Sequence, residues 1–426
     1  MASLTDLAVS ILVNSKTLDD YAKEKGVSTS AEDRPDWRHA PAEIEKARLA
    51  IEDAADSIKR VARQPGAFLY EQFFKYTDIS VMQFLYYYKI PHLVPLDGTT
   101  TYATLATQID VQKVVIQRFI QNAIVIGYFR EDTQTSAISH TPDSRQLATD
   151  PLLFESLGMI LEEIMPAFLN AVPALRKWPL SLEINETGFT HANNTTKTMY
   201  ETFETDPLRA KRFGGAMSVF NREAENSLPH LLSHPVWSAL DKRGQERPAL
   251  VVDLGGSLGH LSIALAGITK NVMFEVQDLP KTVDAGVKAA PKELVEAGRL
   301  RFRAHDFLTA QTETADQDVV DVFFVAQVFQ NWPDKKVVEI VRNLLPRMRR
   351  GSKVLVHERM VPERSRATNE GRRARSGDML MGSLLNGQIR TPQQWREVFR
   401  EADARFGEVS FNTMNDRGLI EVTLEG

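Results

Sequence analysis

The stretch ALVVDLGGSLGH, residues 249–260, decides how the rest of the chain is read. ALVVDL is apolar enough for a strand buried on both faces. It runs into Gly255, Gly256 and Gly259 before the helix-like HLSIALAGIT. Glycines at a strand-to-helix turn permit unusual dihedrals and let a ligand approach the backbone, and the first amides of the helix face that ligand. The spacing D-x-G-G-x-x-G is not the G-x-G-x-x-G of dinucleotide sites, nor a phosphate loop with its Lys-Ser/Thr. A plain tight turn would use the same residues.

Working outward, further strands read at NVMFEVQDLP (271–280), RLRFRAHDFL (299–308), VVDVFFVAQVFQ (319–330) and GSKVLVHERMVP (351–362), with helical stretches such as VVEIVRNLLPRMRR between them. That alternation predicts an α/β fold, a mostly parallel sheet with helices on both faces. The final EVSFNTMNDRGLIEVTLEG reads as two strands joined at DRG and able to close one sheet edge antiparallel. Asp278, at the end of the second strand, is placed to accept both hydroxyls of a ribose. Asp306 and Phe307, at the end of the third, offer a carboxylate to an adenine amine and a ring to its face. All lie at carboxyl ends of neighbouring strands, where such sheets bind ligands, so a nucleoside-type cofactor is expected.

The first 240 residues read mainly as helix. Residues 43–63 are amphipathic and stop at Pro65-Gly66, and FLYEQFFKYTDISVMQFLYYYKIPHLV (68–94) is an aromatic face suited to a core or a subunit contact. Residues 99–131, with a returning strand sought in 138–147, have a winged-helix pattern. The helix at 111–122 carries only Lys113 and Arg118, so nucleic acid is not expected. In the polar segment beginning INETGFTHANN, Thr187, His191, Asn194 and Tyr200 are candidate pocket residues, with a surface loop as the rival reading. DKRGQERPA (241–249) reads as a linker, dividing the chain into 1–240 and 241–426. NEGRRARSG (369–377) reads as a mobile solvated loop, or alternatively a lid.

Composition narrows the classes. The 426 residues are 43% hydrophobic and 25% charged, and 51 Lys+Arg against 56 Asp+Glu give a net charge of −5. This balance is ordinary for a globular protein and offers nothing to a nucleic-acid backbone. With zero cysteines there is no disulfide framework, thiolate metal site or Cys nucleophile, and no metal site is expected. The first twenty residues carry Asp6, Lys16, Asp19 and Asp20 without a long apolar run, and no segment has the roughly 20 apolar residues of a membrane span. A cytoplasmic protein without a membrane partner is expected.

DLGGSLGH, QDLP, AHDF, QNWPD, RNLLP and HERMVP, in this order and spacing, resemble the S-adenosylmethionine-dependent O-methyltransferases that act on plant and fungal small molecules, the caffeic acid O-methyltransferase-like family. TDPLRAKRFGGAM and the winged-helix half resemble it too. The resemblance implies a Rossmann-like class I methyltransferase domain preceded by an α-helical winged-helix dimerisation domain. It further implies a homodimer, and a small-molecule natural-product substrate. Asp253, Gly255, Gly256, Gly259, Asp278, Leu279, Asp306, Phe307 and Trp332 would hold S-adenosyl-L-methionine, and Thr187, His191 and Asn194 the substrate.

The family's Lys/Arg-x-x-x-His-Asp-Trp pattern is altered. Its basic residue falls on Ala326, its His on Gln330 and its Asp on Asn331, while Trp332 is kept and the acid that orients the His falls on Glu358. Glutamine hydrogen-bonds but does not change protonation near neutral pH, and a positioned base contributes typically 10²–10⁴ in rate. Glu358, His191, His234 and His357 are the candidate substitutes. The changed corner resembles a fungal offshoot of the family that binds the cofactor and guides dehydration and pericyclic cyclisation of polyketide-derived pyridones without methylating them. Gln330, Glu358 and Asn331 are then the catalytic candidates. The alternatives are an O-methyltransferase of an aromatic or polyketide hydroxyl, and a non-catalytic cofactor-binding partner.

Overall fold

The computed structural model describes residues 2–30, 35, 37, 40–225, 228–312, 319–414 and 417–426. Two compact units form, each around its own core: Met1–Met165 with Asp206–Val219, and Pro166–Thr205 with Phe220–Gly426. The partition at 240/241 read from the sequence does not coincide with this division. Leu231, Trp237 and Leu240 pack with Val251, Phe274 and Phe324 in the sheet core. The linker reading of 241–249 gives way for the same reason. Residues up to Arg243 finish the helix Pro235–Arg243, Asp241 accepts the amides of Lys270 and Asn271, and Arg243 and Arg247 pair with buried Asp321.

In the first unit, helices Phe68–Tyr87, Tyr102–Ile109 and Lys113–Val125 enclose Val81, Leu85, Leu105, Ile116 and Ile120. A hairpin of β1 (Phe129–Glu131) and β2 (Ile138–His140) closes that core with Phe129 and Ile138. The returning strand is shorter than read, because Pro142 starts a helix, Pro142–Thr149. Further along, Glu163 is buried on one turn of π-helix, Ile160–Ile164, and pairs with both Arg209 and Arg212.

The second unit is built on a seven-stranded sheet. Its strands are β3 (Ala249–Leu254), β4 (Val272–Asp278), β5 (Leu300–Ala304), β6 (Val322–Ala326), β7 (Lys353–Arg359), β8 (Ser410–Met414) and β9 (Arg417–Thr423), in the order β5-β4-β3-β6-β7-β9-β8. β3 to β7 are parallel and β8 and β9 antiparallel, as the apolar runs and the edge pair predicted; of the expected turn DRG, Asp416 lies outside the described residues and Arg417 and Gly418 already belong to β9. Alternate residues face opposite layers: Val252, Phe323, Val325 and Val354 meet Val337, Ile340 and Trp395 on one side, and Val251, Phe324 and Leu355 meet Trp237 and Leu265 on the other. The strand order reverses between β3 and β6, so a crevice opens at their carboxyl ends.

Residues 369–377 are helical, correcting the loop reading. They begin the helix Asn369–Leu385, capped by the Thr368 hydroxyl accepting the Gly371 amide at 3.1 Å. Arg and Ala are good helix formers, and buried Ala374 fixes the inner face. Among the described residues, no helix is long and apolar enough to cross a membrane.

Candidate active site

At the end of β3 the chain turns sharply, with Gly255 at φ 70° and Ser257 at φ 53°. Gly255 adopts the left-handed region that a Cβ disfavours, and an added Cβ there would lie 2.9 Å from Val328. Gly256 is constrained by approach: a Cβ would come within 2.5 Å of the Asp253 carboxyl carbon. Gly259 caps the helix His260–Ile268. Asp253 is buried and accepts a 2.6 Å hydrogen bond from the Ser262 hydroxyl. Burial pushes its carboxyl up to about 6, against the Ser262 bond and with the Asp278 charge.

Asp278 ends β4. Its Oδ2 accepts the Ser257 amide at 2.9 Å and its Oδ1 the Leu279 amide at 2.8 Å, so it binds the glycine turn to the neighbouring strand. Each carboxylate oxygen keeps a further lone pair for a ligand. Leu279 is exposed. Asp306 is also exposed, its Oδ1 accepting the Leu308 amide, and Phe307 meets Trp332 edge-to-face with centroids 5.9 Å apart. The Phe307 ring edge also lies 3.8 Å from where a Gly255 Cβ would project. These residues therefore form one cradle across the switch point, lined by a bare backbone turn, carboxylates and an aromatic pair. It fits a nucleoside bearing a cationic tail.

The second half of the site is the corner after β6. Gln327 turns the chain at φ 57°, and Phe329–Asn331 form a 3-10 turn where the sequence suggested continuing strand. Glu358, near the end of β7 and 1% exposed, accepts the amides of Phe329 at 2.6 Å and Gln330 at 3.2 Å through one oxygen. Burial pushes its carboxyl up to about 7, opposed by the Arg390 charge and by these amides. Arg390 is fully buried in the same corner, where its charge acts on Glu358. It donates to the carbonyls of Phe329 (2.9 Å) and Trp332 (2.7 Å) and to the Asp334 carboxylate (2.7 Å). The Gln388 amide donates to the Gln330 carbonyl at 2.9 Å, and the Asn331 side chain donates to the Gln327 carbonyl. The Gln330 side-chain oxygen is buried with no protein partner among the described residues.

The expected substrate residues are placed differently from one another. Thr187 is buried at 1% exposure and caps the short helix Gly188–Ala192, its hydroxyl accepting the Thr190 amide at 3.2 Å. That hydroxyl serves the fold, not a pocket wall. The His191 Nδ1 is 2.8 Å from the Asn170 side-chain oxygen, Asn194 is an exposed left-handed residue, and Tyr200 is exposed. The segment is held near the corner because the Asn386 side-chain amide donates to the carbonyls of Glu183 and Glu186. Two of the four candidate bases lie elsewhere. His234 caps the helix Pro235–Arg243, and His357 alternates with Glu358 along β7, so it faces the opposite layer, where burial lowers it to about 4. Arg390, Gln388 and Ser262 were missed by sequence reading. A buried arginine has no sequence signature that separates it from a surface one.

This arrangement defines a class I, Rossmann-like cofactor-binding enzyme fold with an N-terminal helical unit. Residues 193–405 match the O-methyltransferase domain family. The chain is 32% identical to O-methyltransferase AMT9 of Alternaria alternata, over 98% of this chain and 96% of that one. It is 31% identical to the chlorophenol O-methyltransferase of Trichoderma longibrachiatum, over 94% and 85%. The chain belongs to the O-methyltransferase domain family. In fold it is similar to LepI in its complex with SAM, with a TM-score of 0.70 at 18% identity, covering 98% of this chain and 100% of that one.

Proposed function

We propose that the protein is an S-adenosyl-L-methionine-dependent O-methyltransferase acting on a hydroxyl of a small secondary metabolite. The observation that supports this reading is the identity of 32% and 31% to two proteins named as O-methyltransferases over nearly the whole chain, together with the glycine turn and carboxylates gathered at the switch point. Asp278 would hold the ribose, Asp306 and Phe307 the adenine, Leu279 and Trp332 the walls around it. The turn Gly255–Gly259 with Asp253 would hold the amino-acid tail. The bound sulfonium supplies an electrophilic methyl group.

Gln330 presents its amide to the substrate and Asn331 fixes the turn through Gln327. Glu358 acts as a positioning residue, since its oxygen holds the amides beneath Gln330. In the same reading the chain is a homodimer. Phe68, Leu69, Tyr70, Phe73, Phe74 and Tyr76 are all more than half exposed on one helix of the first unit, an aromatic surface of the kind subunits cover.

A second reading rests on one specific observation, the loss of every ionisable side chain at Ala326, Gln330 and Asn331. It is dehydration or pericyclic cyclisation of a polyketide-derived pyridone without methyl transfer. One assay separates the two. Purified protein is incubated with the cofactor and extracts or synthetic candidates, and S-adenosylhomocysteine is quantified against product. Equimolar S-adenosylhomocysteine and methyl ether are expected. An isomeric or dehydrated product with no S-adenosylhomocysteine would reverse the order of the readings.

A further inference from the structure

A methyl acceptor must present an oxygen lone pair, and a neutral phenol is a weak nucleophile. With a pKa near 10 it is ionised to about one part in a thousand at pH 7, a deficit of about 4 kcal/mol. A positioned base removes much of that deficit. At this corner the side chains presented are amides, Gln330 and Asn331, which do not titrate.

The charged groups around the corner are already committed. On β7, Glu358 is beneath the turn and bonded to its amides. Arg390, from the segment following the helix Asn369–Leu385, is bonded to the carbonyls of Phe329, Gln388 and Trp332 and to Asp334 of the next helix. Asp378 accepts the Ile389 amide, Glu183 pairs with Lys335 and Asp306 accepts the Leu308 amide, while His191 is held by Asn170 through Nδ1, which leaves its Nε2 as the rival base. The unmet demand on the turn itself is that of the buried Gln330 amide, whose inner atom has no protein partner among the described residues. An amide turned through its flip presents NH₂ as readily as oxygen.

We propose that the hydroxyl this enzyme methylates is already ionised at the working pH, an enol of a 1,3-dicarbonyl or a phenol carrying electron-withdrawing groups, and that the corner holds it as a preformed oxyanion. The inference rests on the methyltransferase reading above. A neutral amide is what an oxyanion requires of its neighbour: Gln330 supplies it, and Asn331, bonded to the Gln327 carbonyl, adds no charge. A carboxylate about 4 Å away would repel it by roughly 4 kcal/mol at an effective dielectric near 20, whereas an amide NH₂ donates to it. The balance closes without a protein base. The hydroxyl proton is lost to water before binding. The oxyanion's electron pair then forms the O–CH₃ bond while the S–CH₃ bond breaks and its pair remains on sulfur, leaving a neutral thioether.

The test uses the full-length protein with S-adenosylmethionine and a probe series of graded acidity: unsubstituted phenol, chlorinated phenols, 4-nitrophenol and a cyclic 1,3-diketone. S-adenosylhomocysteine formation is followed across pH 5–9. The expected kcat/KM falls tenfold per pH unit below each probe's own pKa, so the break moves from probe to probe. A break at one fixed pH for all probes, unmoved or abolished in His191→Gln, overturns the proposal and leaves the methyltransferase reading standing. S-adenosylhomocysteine from none of the probes overturns both. A readout independent of turnover is the visible spectrum of 4-nitrophenol bound to the protein. The phenolate band is expected, with binding weakened roughly a hundredfold in Gln330→Glu by the added like charge. Binding as the neutral phenol contradicts the oxyanion site.

Discussion

Glu358→Gln isolates the energetics of the corner. Glu358 is 1% exposed, and burial raises its carboxyl from the ordinary 4.5 to about 7. A carboxyl raised on folding binds more protons in the folded than in the unfolded state between those two values, so its contribution to stability falls as pH rises through that window. A pKa difference of one between the two states corresponds to about 1.36 kcal/mol. With unfolded and folded values of 4.5 and about 7, the group costs about 0.8 kcal/mol at pH 5 and about 3.3 kcal/mol at pH 8, a change of about 2.5 kcal/mol. Glutamine keeps an oxygen able to accept the Phe329 and Gln330 amides and carries no charge to desolvate. The stability of Glu358→Gln relative to the natural chain should therefore rise by about 2.5 kcal/mol between pH 5 and pH 8, read from urea unfolding of both proteins at each pH. Taking the difference between the two proteins removes the slopes of Asp253, which is raised, and His357, which is lowered. A difference that is flat with pH would refute the argument that a buried, titrating carboxyl holds this turn.

Gly256→Ala places a methyl group 2.5 Å from the Asp253 carboxyl carbon, and overpacking of this kind costs about 1–3 kcal/mol. Calorimetry should show S-adenosylmethionine affinity reduced at least about tenfold, and unchanged affinity would remove the turn from the cradle. Because burial lifts Asp253 to about 6 and its ionised form is the one that attracts a cationic tail, affinity should fall as pH drops through 6. Asp253→Asn should flatten that profile. Arg390→Met strips donors from the carbonyls of Phe329 and Trp332 and removes the positive charge that acts on buried Glu358. A loss of about 3–5 kcal/mol in unfolding free energy is expected, with partial recovery in Arg390→Lys.

The sheet was legible because its central strands, buried on both faces, read as short apolar runs such as VFFVA and ALVVDL. The glycine turn was legible because glycines between an apolar strand and a helix specify an unusual backbone turn, whereas the bonds from Asp278 to the Ser257 and Leu279 amides were not, since those amides carry no sequence signal. The helix Asn369–Leu385 was not. Its first turns are so rich in arginine that their charge outweighed their helix propensity in the reading, and the Thr368 cap that starts it is a single residue. The corner was half legible. Gln330 and Asn331 stood out through what they replace. Their mounting did not, because it is made by backbone amides and carbonyls, which every residue carries, and by Glu358 and Arg390, whose burial only the packed sheet determines. Thr187 shows the converse error: a polar residue among apolar ones was read as a pocket contact when its hydroxyl closes a helix end.

The neutrality of the corner and the firmness of its mounting belong together. A titrating base adds chemistry of its own and lowers the barrier by taking the proton. A neutral amide adds only direction, and direction is useful only if the amide is held within a small fraction of an ångström of where the substrate needs it. Here Glu358 accepts the amides of Phe329 and Gln330, Arg390 donates to the carbonyls of Phe329 and Trp332, and the Gln388 amide donates to the Gln330 carbonyl itself. Burying a carboxyl and a guanidinium costs more than an apolar filling would, so stability alone does not account for them. Their geometry does: between them they engage the backbone amides and carbonyls of the turn that carries Gln330, whose side-chain oxygen has no protein partner among the described residues.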